Sequence, residues 1–167
     1  MLQVVIQKIP ENLQEFEILA AKGRQPEHIC ALFLCALALF DRDKDAGVAA
    51  MNLLRGPKPM TPYDCQFLRD RLRGKVYLPL AYFEGATPEN GYQPCVPYTL
   101  NVLADPRPQD IEPGYMRVFL KNVRRGFTAS HEIAAEGFDR RNGSSGNIPV
   151  FSAVSVFPRR KIRGHNK

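Results

Sequence analysis

The reactive side chains of this chain are few and poorly spaced for one another. Cysteine occurs at positions 30, 35, 65 and 95, and His28 is the only histidine before residue 131. A nucleophilic Cys–His pair needs the base within hydrogen-bond reach of the thiol, and no spacing here fixes one. Cys30 and Cys35 lie in or beside the most apolar run, Ile29–Phe40, where a thiol acts as a small hydrophobe with a raised pKa. Cys65 follows Asp64 in the first turn of an expected helix, a setting that favours a thiolate, but packing is its expected role. There is no CxxC pair, so zinc-finger and disulfide-framework classes are excluded and reduced, cytoplasmic thiols are expected. Serine is absent before Ser130, which removes a serine nucleophile from most of the chain. Asp41-Arg42-Asp43-Lys44-Asp45-Ala46-Gly47 imitates the start of a calcium loop, but Ala46 stands where the turn needs glycine and Asn52 where a bidentate Glu belongs. A polar turn leading into the next helix is the expectation. Phosphate-loop and dinucleotide fingerprints are absent, and Glu84 and Glu89 have no neighbour that would raise either toward general-acid duty. No cofactor or metal is expected, and a non-enzymatic role is favoured.

Recognition is the chemistry left. Tyr77, Tyr82, Phe83, Tyr92 and Tyr98 supply amphipathic contact area, and Pro94-Cys95-Val96-Pro97 favours extended backbone. Between them, Glu84–Tyr92 is rich in turn residues, with Pro88 and the pair Asn90-Gly91. Most of the rings are expected to cover a seam between helices and sheet, with Glu84–Tyr92 exposed on top. The candidate binding residues are Tyr82, Phe83, Glu84, Glu89, Asn90, Tyr92 and Tyr98. The partner is an unidentified protein or small molecule; the alternative is an enzyme or small-ligand binder whose pocket lies between helices and sheet, lined by Tyr82, Tyr98 and a titratable group.

These residues need a scaffold. Val4–Ile9 suits a short strand or extended arm. Asn12–Ala21 places Leu13, Phe16 and Leu19 on one helical face. Pro26 suits a first helical position, and Glu27–Phe40 is apolar nearly all round, as a buried central helix is. Asp45–Leu54 is a third helix with Val48 and Met51 inward. Thr61-Pro62-Tyr63-Asp64 starts a fourth, Thr61 and Asp64 forming a capping box, with Tyr63, Phe67, Leu68 and Leu72 as its apolar stripe. From Lys75 onward the pattern changes: Tyr98, Leu100 and Val102 alternate with polar residues, and Tyr115–Leu120 is a second strand. The expected fold is α+β: about four short helices (residues 1–74), then a small, incomplete antiparallel sheet (75–121).

Charge divides the chain at the same place. Residues 1–120 hold 13 basic and 14 acidic side chains, whereas residues 121–167 hold 10 and 3. All five serines lie in that second part. The 12-residue run Ile29–Phe40 is too short to span a bilayer, and no leading apolar segment of the secretory kind is read. The pairs Arg124-Arg125 and Arg140-Arg141 and the run Arg159-Arg160-Lys161 would ordinarily suggest nucleic-acid contact through phosphate neutralisation.

The strings Pro59-Met60-Thr61-Pro62-Tyr63-Asp64, Tyr82-Phe83-Glu84-Gly85-Ala86-Thr87-Pro88-Glu89-Asn90-Gly91-Tyr92 and Pro97-Tyr98-Thr99-Leu100-Asn101-Val102 resemble a family of small bacterial proteins that carry a domain of unknown function. The resemblance covers about residues 1–121 and implies a helical first half and a β-rich second half, with no activity, cofactor or catalytic residue attached. Members continue with a Ser-Gly-Gly turn, a basic strand and a tryptophan-rich strand, whereas this chain has no tryptophan. Under one choice of codons, loss of one A after Lys121 turns residues 122–141 into TSGGALRRPMKLRRKGSTGE. Loss of a second A at Arg141-Asn142 turns the remainder into WFLWEYSSILCGIRVPKEEDPWA, with a stop across His165-Asn166. Residues 122–167 are therefore read as an out-of-frame, poorly packed tail, and nucleic-acid binding depends wholly on that tail being genuine. Resequencing the source DNA across codons 115–167, by a method insensitive to homopolymer runs, is expected to remove both A bases. Their persistence would restore the basic tail as a real feature.

Overall fold

The computed structural model describes residues 2–23, 25–55, 58–104, 116–124, 127–135 and 154–157. Side chains are described as far as Leu103 and at Leu120. The chain is α+β, with helices packed on one face of a small antiparallel sheet. Strand β1 (Leu2–Ile6) comes first, followed by α1 (Leu13–Lys22), α2 (Pro26–Arg42), α3 (Lys44–Arg55) and α4 (Pro62–Leu72). Strands β2 (Tyr98–Ala104), β3 (Met116–Arg124), β4 (Phe127–Ala135) and β5 (Val154–Phe157) complete the order, each neighbour pair antiparallel.

α2 organises the interior. Its residues from Ile29 to Leu37 are all buried, as are Leu39 and Phe40. A helix apolar on every side must be enclosed on every side. The sheet supplies one wall with Val4, Ile6, Leu100, Val102 and Leu120, and Phe16 and Ala20 of α1 and Ala50, Met51 and Leu54 of α3 supply others. In this setting burial pushes the Cys35 thiol up to about 12, and burial with the nearby Glu27 charge does the same for Cys30. Both remain protonated and act as packing groups.

β1 separates the structure from a plain helices-then-strands order. It is separated from β2 by four helices, yet pairs with it from Leu2↔Val102 to Ile6↔Tyr98. The alternation in β1 turns Val4 and Ile6 to the core and leaves Gln3 and Val5 exposed, so the register matches the inward set Leu100 and Val102 of β2. Beyond Leu120, β3 extends to Arg124 and pairs with β4 in backbone register. The side of β3 away from β2 is thus occupied by a strand from residues 127–135. The basic pairs and the remainder of the tail lie outside the described side chains.

Local signals explain the helix ends. Asn12 caps α1 by accepting from the Glu15 N–H at 2.9 Å. Asp43 Oδ1 accepts from the Ala46 N–H at 3.0 Å, so the calcium-loop look-alike is spent on starting α3. Thr61 and Asp64 form the expected capping box on α4, and Arg55 at 2.9 Å ties Asp64 back to α3. Hydrogen bonding to the Thr61 backbone, supported by Arg55, holds the Asp64 carboxyl below its ordinary value. One expectation fails here: Tyr63 is 77% exposed and does not belong to the apolar stripe of α4. Pro62 and Tyr63 occupy the first turn, which the capping hydrogen bonds hold and which no element among the described residues covers.

A main-chain contact joins α2 to α3. A β-carbon built on Gly47 would overlap the backbone of Phe40, so glycine lets the two helices touch main chain to main chain. Gly47→Ala gains about 1 kcal/mol of helix propensity but forces an overlap that backbone atoms cannot relieve, costing about 3 kcal/mol. A net loss of about 2 kcal/mol is expected, read as a lower urea midpoint at unchanged slope.

Candidate functional site

After Gly74, at φ 69°, the chain leaves α4 and enters the aromatic segment. A short 3-10 turn, Leu80–Tyr82, buries Ala81 and Tyr82. Phe83 then bridges to Leu100 and occupies the edge of β2 that β3 takes further along. The Glu84 N–H donates to the Thr99 carbonyl at 2.9 Å, and the Glu84 carbonyl accepts from the Cys95 N–H at 2.9 Å. These two bonds close a loop from Glu84 to Cys95.

The loop is held mainly by one side chain. Asn90 Oδ1 accepts from the Thr87 and Gln93 N–H groups, both at 3.0 Å. Its Nδ2 donates to the Gly85 carbonyl at 2.7 Å and the Gln93 carbonyl at 3.0 Å. Two donors face the oxygen and two acceptors face the nitrogen, so the amide's whole capacity is met. Gly91 and Tyr92 both have positive φ, 66° and 61°, and the Tyr92 N–H donates to the Thr87 carbonyl at 2.8 Å. Tyrosine is rarely found there. Its ring stacks on Tyr77, centroids 4.4 Å apart and planes 14° from parallel, and this contact together with the hydrogen bond secures the conformation. Gly85, at φ 81°, is required twice, because a β-carbon on it would also overlap the Cys95 sulfur.

The seven residues expected to form the contact surface divide by role. Tyr82 and Phe83 are 4% and 2% exposed and belong to the core. Tyr98 is half-buried, edge-on to Phe83 at 6.0 Å. Tyr92 is half-buried in its stack, and Asn90 is exposed but committed to the loop. Glu84 is exposed and accepts from Asn101 Nδ2 at 2.6 Å, while Asn101 Oδ1 accepts from Gln3 at 3.0 Å. This polar row crosses the sheet face opposite the helices. Glu89 is the one of the seven that is exposed without a described partner. Sequence reasoning overlooked Val96, 69% exposed just beyond that loop, and an apolar residue between Pro94 and Pro97 was the available signal.

A second concave feature lies at the other edge of the sheet. Residues 4–8 of the first strand and its exit face Glu15, Ile18, Leu19 and Lys22 of α1 across a groove of about 460 Å³, floored by Ala31 and Leu32. It lies between helices and sheet, where a ligand pocket was expected, but Tyr82 and Tyr98 are not among its walls. Among the described residues no His, Cys, Asp and Glu cluster has metal-binding geometry, and no helix is long and apolar enough to cross a membrane.

Fold and loop together define a small α+β domain with a helix-covered antiparallel sheet and a self-braced aromatic loop. The chain belongs to the family described as domain of unknown function DUF6935, whose model matches residues 8–127. Comparison with curated proteins and with solved structures finds no match.

If Asn90 holds the loop, its two halves are separable. Asn90→Ala is expected to speed amide hydrogen exchange at Thr87 and Gln93 by about tenfold, the worth of one hydrogen bond. Asn90→Asp keeps the acceptor and is expected to retain that protection while releasing the Gly85 and Gln93 carbonyls.

Proposed function

We propose that the protein is a non-enzymatic, cytoplasmic interaction module that presents the outer face of the Glu84–Pro97 loop to a protein partner. The observation that carries this reading is the Glu84–Cys95 loop, whose conformation is fixed by its own hydrogen bonds while Glu89 and Gln93 within it and Val96 just beyond it stay in solvent. A loop that serves only as a connection has no need of two successive positive φ angles and a fully committed amide. Restraint without burial is the signature of a preorganised surface. Tyr82, Phe83, Tyr92 and Tyr98 support that surface from below, and Glu89 and Val96 form its contact face.

The chemistry of the partner follows from charge. Residues 76–104 contain Glu84 and Glu89 and no lysine or arginine, so the loop offers Val96 beside acid that has no ion-pair partner among the described residues. A basic and apolar protein surface complements it. The basic tail takes no part in this reading, and the end of the family match at residue 127 supports treating the residues beyond it as foreign to the module.

The test replaces exposed loop residues and leaves the supports alone. Glu89→Lys with Val96→Asp is expected to deplete at least one copurifying protein by about tenfold, as loss of a central contact does, with an unchanged melting curve. An identical set of copurifying proteins from wild type and variant would count against the loop as the contact face.

A further inference from the structure

β1 is an edge strand of an uncommon kind. It pairs with β2 on one side, and among the described residues no backbone hydrogen bond reaches it from the other. The six residues Leu2–Gln7 contain no charge, proline or glycine, whereas edges left open are usually blunted by charge, proline or a bulge. Leu2 and Val5 on the strand and Ile18 on α1 are each at least 50% exposed. An unguarded strand edge running beside an apolar trough has the two elements needed for strand addition: main-chain hydrogen bonds for affinity and a pocket for alternate side chains.

The dimensions of the trough agree with this. Residues 4–8, strand as far as Ile6 and bent beyond it, span at most about 13 Å, and Glu15 to Lys22 about 10 Å at the rise of a helix. A volume of about 460 Å³ spread along that length is a channel for three or four extended residues. Its charge is uneven. At one end Lys8 bonds Glu15 at 2.7 Å, with Glu11 at 3.9 Å, so that cation is cancelled. Lys22 lies two helical turns further along α1, also in the wall of the groove, and has no ion-pair partner among the described residues.

We propose that the β1–α1 trough binds an extended peptide segment as an added antiparallel strand, with apolar side chains at alternate positions and its C-terminal carboxylate against Lys22. Antiparallel addition runs the peptide's C-terminus away from the Lys8–Glu15 pair, toward the part of the groove wall that Lys22 supplies. This surface is separate from the Glu84–Pro97 loop and does not depend on it.

The experiment uses the full chain and a fluorescein-labelled Thr-Val-Thr-Ile-Thr-Val peptide, with either a free C-terminal carboxylate or a C-terminal amide, followed by fluorescence anisotropy. Saturable binding of the carboxylate form is expected. Amidation and Lys22→Glu should each weaken it by about tenfold, the worth of one charge-assisted contact. Ile18→Glu changes an exposed residue and should abolish binding without moving the unfolding midpoint, while Lys58→Glu, on the link between α3 and α4, should change nothing. Absence of saturable binding, or equal affinity for the amide, overturns the proposal. So does a wild-type dimer in sedimentation velocity that Ile18→Glu dissociates, since that assigns the edge to a second copy.

Discussion

An apolar helix that must be enclosed on every face sets the terms for the rest of this molecule. α2 exposes almost nothing between Ile29 and Phe40, and leaving such a helix in water would forfeit roughly 2 kcal/mol for each large side chain. No single layer can cover it. α1 and α3 take two sides, and the sheet must take another, which is why β1 is brought back across four helices to pair with β2. Gly47 follows from the same constraint. With the sheet fixed on one side, α3 reaches the far side of α2 only by approaching to backbone contact at Phe40.

The aromatic loop is built on a different principle. Where α2 is held by burial, Glu84–Cys95 is held by directional hydrogen bonds that converge on one amide. Burial defines a volume, but hydrogen bonds define a shape, and an exposed loop can be rigid only in the second way. The rings serve both systems. Tyr82 and Phe83 seal the core, whereas Tyr77 and Tyr92 stack beneath the loop. That division follows from what a ring can do: it is equally at home as a seal, a support or a contact.

The sheet also carries an imbalance across its width. Its inner face is matched by the helices, and its outer face carries the Gln3–Asn101–Glu84 row, which ties β1, β2 and the loop together. The free edge of β1 has neither treatment. Pro10 and the Lys8–Glu15 pair mark where the trough ends at one extremity, and Lys22 stands further along its wall, so charge borders the trough without covering it.

Several features were determined by the sequence alone, because they are local. The capping box at Thr61–Asp64, the all-round apolarity of α2, the inert thiols of Cys30 and Cys35 and the alternation in Tyr98–Val102 depend on neighbours a few residues away, whose geometry is set by helix or strand period. The turn character of Glu84–Tyr92 was legible for the same reason, since Pro88 and Asn90-Gly91 restrict their own dihedral angles. What only the tertiary structure decided involves contacts distant along the chain. The pairing of β1 with β2, the approach of Gly47 to Phe40 and the exposure of Tyr63 each depend on which layer finally lies overhead. So does the sorting of seven candidate contact residues into core, support and exposed tip. A side chain's type states what it can do, but only the arrangement of surfaces around it determines which of those roles remains available.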